Sequence, residues 1–374
     1  MRSDSPQARH VECQAVELQL LRELTERVGS NPLLAQASTG NTSIKLDGVL
    51  WIKASGRWMA DARQNEILIP LDLADVHQCL QRELDPAERF PGASLETAMH
   101  AILPYPVVLH VHCVNTIAWA VRSDARAQLH QRLDGLRWRW VPYVESGLPL
   151  ARAVRKALSS GDTEKDANSD ADIFVLGNHG LVIGAENCRA AEHLLSEVGR
   201  RLAISPRQAH PADYTVLAEA SAGTQWDLPD DDAVHALATD AVSRAILAGG
   251  LLYPCQAIFS NSSTPALFRS IPCSDSPDQW ASRYRSRPLL VIEGRGVLIG
   301  RSMTSAECAM ISGLAQVVQR IPASAPIRYL TEAEIANSSS AVAYRYRELA
   351  NERIGGGAGV PVLSVAASGK SWAS

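Results

Sequence analysis

Apolar positions along the chain change their period several times, and each change marks an element. Residues 11–29 place leucines on one stripe of a 3.6-residue period and stop at Gly29, a residue suited to closing a helix. After Ser38-Thr-Gly-Asn-Thr-Ser43 the period shortens. Residues 44–46 and 50–52 read as strands turned at Asp47-Gly48, and 67–71 as another. Ser94 is a favourable N-cap for a helix over 95–103, which Pro104 halts. Residues 106–113 (Pro-Val-Val-Leu-His-Val-His-Cys) are apolar and β-branched, as a buried strand requires. A helix over 116–120, a strand over 137–144, a helix over 150–158 and a polar loop over 161–172 follow. Strands over 173–176 and 181–183, turned at Asn178-His179-Gly180, and a helix over 188–202 complete the unit. Strands mixed with surface helices in this order predict an α/β or α+β domain.

A Pro-, Ala- and Asp-rich passage over 205–232 reads as a connector. Beyond it the chain partly repeats itself. Residues 174–184 (Phe-Val-Leu-Gly-Asn-His-Gly-Leu-Val-Ile-Gly) are echoed by 290–300 (Leu-Val-Ile-Glu-Gly-Arg-Gly-Val-Leu-Ile-Gly), each before an Ala-rich helix. Tyr105-Pro106 is echoed by Tyr253-Pro254. In this matching Arg295 replaces His179, while Ile258 and Ser260 replace His110 and His112. The pattern is that of a degenerate copy without metal ligands; chance similarity of two short apolar hairpins is the competing account. The expected division is 1–215, then 216–353, then a disordered Gly-rich tail over 354–374.

Composition narrows the picture. With 374 residues the chain has length for two domains and a large core. Lys and Arg number 36 against 40 Asp and Glu, a net charge of -4, which predicts no nucleic-acid or membrane partner. The 7 cysteines are scattered, without a Cys-x-x-Cys pair, as in reduced intracellular proteins. The N-terminal residues carry no apolar core of a signal peptide, and no apolar run approaches ~18 residues. These features predict a cytoplasmic protein.

Candidate chemistry centres on histidine. His110 and His112, at i and i+2, share one face of their strand, and His179 in its Gly-bounded turn can close a metal site. Three neutral imidazoles suit zinc and leave one position open for chemistry. Cys113 points to the opposite face. Glu96 stands one helical turn before His100, within hydrogen-bonding reach, so His100 is either a supporting partner or a packing residue.

The order Gly40-Asn41-Thr42-Ser43, Ala54-Ser55-Gly56, Ser94-Leu95-Glu96-Thr97 with His100, His110-Val111-His112 and Asn178-His179-Gly180 resembles the class II aldolase/adducin family. That family includes L-fuculose- and L-rhamnulose-1-phosphate aldolases. The resemblance covers roughly residues 15–205, and the second unit with the stretch 329–334 is similar to the C-terminal extension of longer members. It implies a three-layer α/β domain with a central mixed or antiparallel sheet, followed by the smaller degenerate repeat. It also implies His110, His112 and His179 as ligands of Zn2+ or another divalent metal, with Glu96 as fourth ligand or catalytic base. Zinc would stabilise an enediolate as a Lewis acid.

The resemblance places substrate and phosphate binding on Asn41, Thr42, Ser55, Gly56 and Ser94. One departure counts against a phosphate: Leu95 stands where a second Ser is frequent. Lys53 and Arg57 flank Ser55-Gly56 and either compensate or are merely solvated. Tyr143 matches the family's proton donor from a neighbouring subunit, or is an aromatic packed at a subunit interface. The implied protein is a homo-oligomer, with a tetramer frequent in the family. The implied function is a zinc-dependent aldolase cleaving a ketose 1-phosphate or related sugar or sugar acid, without a redox cofactor. An epimerase, dehydratase or decarboxylase on the same scaffold is the first alternative. A non-catalytic adducin-like interaction module is the second, and it predicts lost metal ligands, whereas here all are kept.

Overall fold

The computed structural model describes residues 6–159, 171–259, 271–272, 279, 283–284, 287–338 and 341–351. Its centre is a seven-stranded sheet built from β1 (Asn41–Leu46), β2 (Val49–Lys53), β3 (Leu68–Asp72), β4 (Val107–Val111), β5 (Trp138–Val141), β6 (Ile173–Leu176) and β7 (Gly180–Ala185). The strand order is β3-β2-β1-β4-β7-β6-β5. Every neighbouring pair is antiparallel except β5 and β6, which makes the sheet mixed, as expected.

Helices cover both faces. On one, the long helix Pro6–Gly29 and the helix Cys188–Arg201 set Leu21, Leu24, Leu195 and Val198 against Leu109, Val111 and Ile183. On the other, the helices Thr97–Ile102 and Leu148–Ser159 set Met99 and Val154 against Val108, Phe174 and Val182. The result is a three-layer α/β domain. β4 and β7 are buried on both faces, which is why their sequences are apolar throughout rather than alternating. His110 shares a face with Val108 and therefore looks toward the helix Thr97–Ile102.

A second, three-stranded sheet is ordered β8 (Trp226–Asp227), β10 (Gly296–Gly300), β9 (Leu289–Ile292). Two expectations are corrected here. The passage 205–232 is no bare connector: it holds the helix Tyr214–Ser221 and β8, whose Trp226 is fully buried. Residues 254–259 form a helix, not the counterpart of β4, because Pro254 sits in its first turn, where a missing N–H costs nothing.

The two hairpins of the echo share their register. Leu176 pairs Gly180 and Ile292 pairs Gly296, with left-handed residues at the matching positions Asn178 (φ 50°) and Gly294 (φ 68°). Each hairpin precedes a 14-residue helix, Cys188–Arg201 and Ser305–Val318. The two halves also share a core: Val114, Ile117 and Val121 of the first pack in one cluster with Leu252, Met310 and Leu314 of the second. Among the described residues no helix is long and apolar enough to cross a membrane. Residues 161–170 of the expected polar loop, and the expected tail over 354–374, lie outside the described residues.

Candidate metal centre

Two glycines make room for the histidine strand. Gly40, at φ 71°, lies so close to β4 that an added Cβ would meet the His110 carbonyl oxygen at 2.5 Å. Gly180 approaches from the other side, where a Cβ would lie 2.5 Å from the Val111 carbonyl oxygen. Between them the turn at Asn178, in the left-handed region that Asn tolerates, swings His179 toward β4.

The imidazoles of His110, His112 and His179 then meet edge to face, with ring centroids 4.9 to 5.0 Å apart. Their ligand nitrogens all lie within 4.8 Å of one another, and all three side chains are buried. His110 Nε2 and His112 Nε2 are 3.1 Å apart. Two nitrogens at about 2.0–2.1 Å from one tetrahedral zinc are separated by roughly 3.3 Å, so the spacing fits a shared cation. Glu96 Oε1 completes the cluster at 3.3 Å from both His110 Nε2 and His179 Nε2.

The surroundings set the protonation states that a cation needs. His110 Nδ1 donates to the Leu181 carbonyl oxygen (3.1 Å), which fixes the ring with Nε2 toward the cluster. Burial, then the neighbouring imidazoles, push His112 well below its usual range, and burial also lowers His179, against the pull of Glu96. Burial acts to raise the Glu96 carboxyl, but the His110 and His179 imidazoles outweigh it and hold the group well below 4.5. Burial thus favours the neutral form of His112 and His179 and the cluster favours the Glu96 carboxylate, and three imidazoles with a carboxylate are a donor set that fits a divalent cation.

Behind it runs a hydrogen-bond chain. Asn41 Nδ2 donates to Glu96 Oε2 (2.8 Å) and to Ser94 Oγ (3.0 Å). His100 Nε2 donates to Asn41 Oδ1, and its Nδ1 accepts from Ser43 Oγ (2.7 Å). Burial pushes His100 down to about 3, so this imidazole is neutral and orients the Asn41 amide with its NH2 toward Glu96. Ser94 is not the helix cap expected of it. Its hydroxyl also accepts from the Glu96 N–H (3.3 Å), and the helix starts only at Thr97, leaving Glu96 free to face the histidines.

A small cavity opens on the cluster, about 60 Å³, lined among others by Asn41, Ser55, Ser94, Glu96, His112 and His179. Three expected residues are not among its lining: Thr42, Gly56 and Tyr143. Thr42 faces the opposite side of β1 and bonds Thr25 Oγ1 at 2.6 Å. Tyr143 lies apart, its hydroxyl 3.4 Å from Ser338 Oγ and its ring beneath Arg328. Gly56 is buried under Leu349. Lys53 is not solvated: it is buried, with Nζ donating to the carbonyl oxygens of Ser38 (2.9 Å) and Arg57 (2.7 Å).

The second half of the chain supplies walls that sequence reasoning missed. Cys255 Sγ lies 3.5 Å from His112 Nδ1. Tyr346 lines the cavity and accepts a hydrogen bond from Ser38 Oγ (3.0 Å). Neither stands in a motif; the Tyr253-Pro254 echo was the nearest signal, and it directed attention to Ile258 and Ser260 instead.

Three histidines and a carboxylate gathered at the central strand of a mixed seven-stranded sheet define an α/β domain with a candidate metal site. Residues 21–205, about half of the chain, match the family model described as the Class II Aldolase and Adducin N-terminal domain, and through this unit the chain belongs to that family. A protein of Bacillus subtilis (strain 168) described as "Uncharacterized oxidoreductase YuxG" is 28% identical over 181 residues, covering 42% of this chain and 25% of that protein. The chain thus matches about a quarter of the length of that relative. Among solved structures, the N-terminal class II aldolase domain of a Thermoplasma acidophilum protein is 22% identical, covers 54% of this chain and 94% of its own, and has a TM-score of 0.40. The L-fuculose-1-phosphate aldolase of Thermus thermophilus is 18% identical, with 50% and 91% covered and a TM-score of 0.36.

Proposed function

We propose that this protein is a zinc-dependent carbon–carbon lyase of the aldolase type, acting on a hydroxy-carbonyl compound related to a sugar. The observation that carries the reading is Glu96: a buried carboxylate set 3.3 Å from two imidazole nitrogens, with its other oxygen held by Asn41. His110, His112 and His179 would hold the cation, which would supply Lewis-acid stabilisation of negative charge on the substrate oxygens.

The chain's own groups do the rest. Glu96, deprotonated at neutral pH, takes the proton from the hydroxyl β to the substrate carbonyl. The Cα–Cβ bond breaks, the Cβ fragment leaves as an aldehyde, and the electron pair passes to the oxygens of the carbonyl fragment. That fragment regains a proton at carbon. Tyr346 is the phenol that lines the cavity, and burial raises its pKa, so it is protonated and able to donate. Tyr143, outside the cavity, is assigned no step.

Metal analysis comes first: one zinc per chain, absent from the His110→Ala/His112→Ala double variant. Incubation with hydroxyketones and sugar acids then identifies the reaction. Two carbonyl fragments are expected; carbon dioxide or an epimer in their place assigns the chain to the neighbouring chemistries. A chain that binds no divalent cation leaves only the interaction-module reading.

A further inference from the structure

The turn Ser55-Gly56, suited by its glycine to cradle an anion, is already filled by the chain's own C-terminal helix Ala341–Asn351. A Cβ added to Gly56 would lie 2.4 Å from Leu349 Cβ. Beside it, Trp58 Nε1 donates to the Ala350 carbonyl oxygen (3.3 Å), fastening the helix end to the turn. Three residues before Leu349, Tyr346 enters the cavity itself.

Two backbone donors of the turn are engaged elsewhere. The Ser55 N–H donates to the Gly92 carbonyl oxygen (2.9 Å) and the Arg57 N–H to that of Ala54 (3.3 Å). Lys53, the cation among the lining residues, is tied to the Ser38 and Arg57 carbonyl oxygens. The lining includes the Glu96 carboxylate, and much of the remaining wall is apolar: Leu95, Pro254 and Ile258. A phosphate dianion placed here would lie beside the Glu96 carboxylate, and Lys53 already has its donors on backbone carbonyl oxygens.

The cavity is small, about 60 Å³.

We propose that the helix Ala341–Asn351 stands where a substrate phosphate would lie, so that the site takes short, unphosphorylated hydroxy-carbonyl compounds. The proposal rests on the lyase reading above and narrows its substrate class. Ser38, Tyr346 and Ser55 then face hydroxyl or carbonyl oxygens rather than a dianion.

The test uses the zinc-loaded full-length chain and two probes in a calorimeter. Glycolohydroxamate offers two adjacent oxygens that chelate a divalent cation; its phosphate ester offers the same pair with the dianion added. The expected result is binding of the unphosphorylated probe, with the ester at least tenfold weaker. Equal or tighter binding of the ester overturns the proposal and leaves the lyase reading standing. Failure of both probes on a chain shown to hold zinc overturns the two together. Leu349→Ala opens the space over Gly56 and is expected to narrow the difference at least threefold, with glycolohydroxamate affinity reporting an intact site. An unchanged ratio overturns the role given to the helix.

Discussion

Cys255 Sγ lies 3.5 Å from His112 Nδ1, so a residue of the second half orients a metal-site imidazole of the first. With Nε2 aimed at the cluster, Nδ1 carries the proton and donates to sulfur. Burial pushes the Cys255 thiol up to about 12, which keeps it a neutral acceptor. Partners of this kind fix ring orientation and typically contribute 10–100-fold to metal affinity. Cys255→Ala is expected to weaken zinc binding by about that factor in a chelator competition while the thermal unfolding midpoint stays within a few degrees. Unchanged affinity would refute the role.

Asn41 holds Glu96 Oε2 at 2.8 Å, and a hydrogen bond to a charged group contributes about 1.5–3 kcal/mol. Its loss disfavours the carboxylate, and each 1.36 kcal/mol is one pKa unit. In Asn41→Ala the acid limb of the kcat profile is therefore expected to move up by about one to two pH units. A packing role alone would lower activity without moving the limb.

Lys53 makes stability depend on pH. Burial pushes its ammonium down from 10.5 to about 7. Between pH 7 and 10.5 the unfolded chain keeps a proton that the folded chain has released, so stability rises with pH across that window. Below pH 7 both states are protonated and the cost of the buried charge is felt in full. Against Lys53→Met, which lacks this titration, the wild type is expected to gain about 2 kcal/mol from pH 7 to pH 9. Urea unfolding of both proteins at the two pH values measures it; a constant difference would mean the ammonium is solvated.

Two tyrosines separate competing assignments of the proton donor. Tyr346→Phe is expected to lower kcat by about 10²–10⁴, the usual range for a positioned acid, with KM little changed. Tyr143→Phe, whose hydroxyl meets Ser338, is expected to leave kcat within twofold. The reverse pattern would move the role to Tyr143, brought to the cavity by a neighbouring copy.

Much of the metal cluster was legible because its spacing is local. A period of two aligns His110 with His112, and a Gly-bounded hairpin presents His179. The same held for β6 and β7, whose apolar runs are bounded by turn residues. Ser94 misled because its hydroxyl has two competing uses, and the buried Asn41 amide and Glu96 N–H prevail over a helix cap. Lys53 could be read as an anion partner or a solvated cation because a sequence does not show which backbone carbonyls lie within reach. Cys255 and Tyr346 enter the site from far along the chain, and no periodic pattern marks such a contact. Trp226 is the lesson in reverse: a passage read as a connector from its prolines and aspartates contributes a strand to the second sheet.

Asn178 has a bearing on how the chain is made. Its side chain donates to the Leu252 and Arg328 carbonyl oxygens (2.7 and 2.8 Å), and its Oδ1 accepts from Arg328 Nη1 (3.1 Å). The turn that carries His179 is thus anchored to residues synthesised much later. A nascent chain that has emerged only as far as the helix Cys188–Arg201 has all three histidines but lacks the anchor for the third, the thiol behind the second and the phenol over the opening. Synthesis from the N-terminus therefore orders the events: the donors appear early and the enclosed chamber late, so a half-made chain offers its metal ligands before it has a place for a substrate.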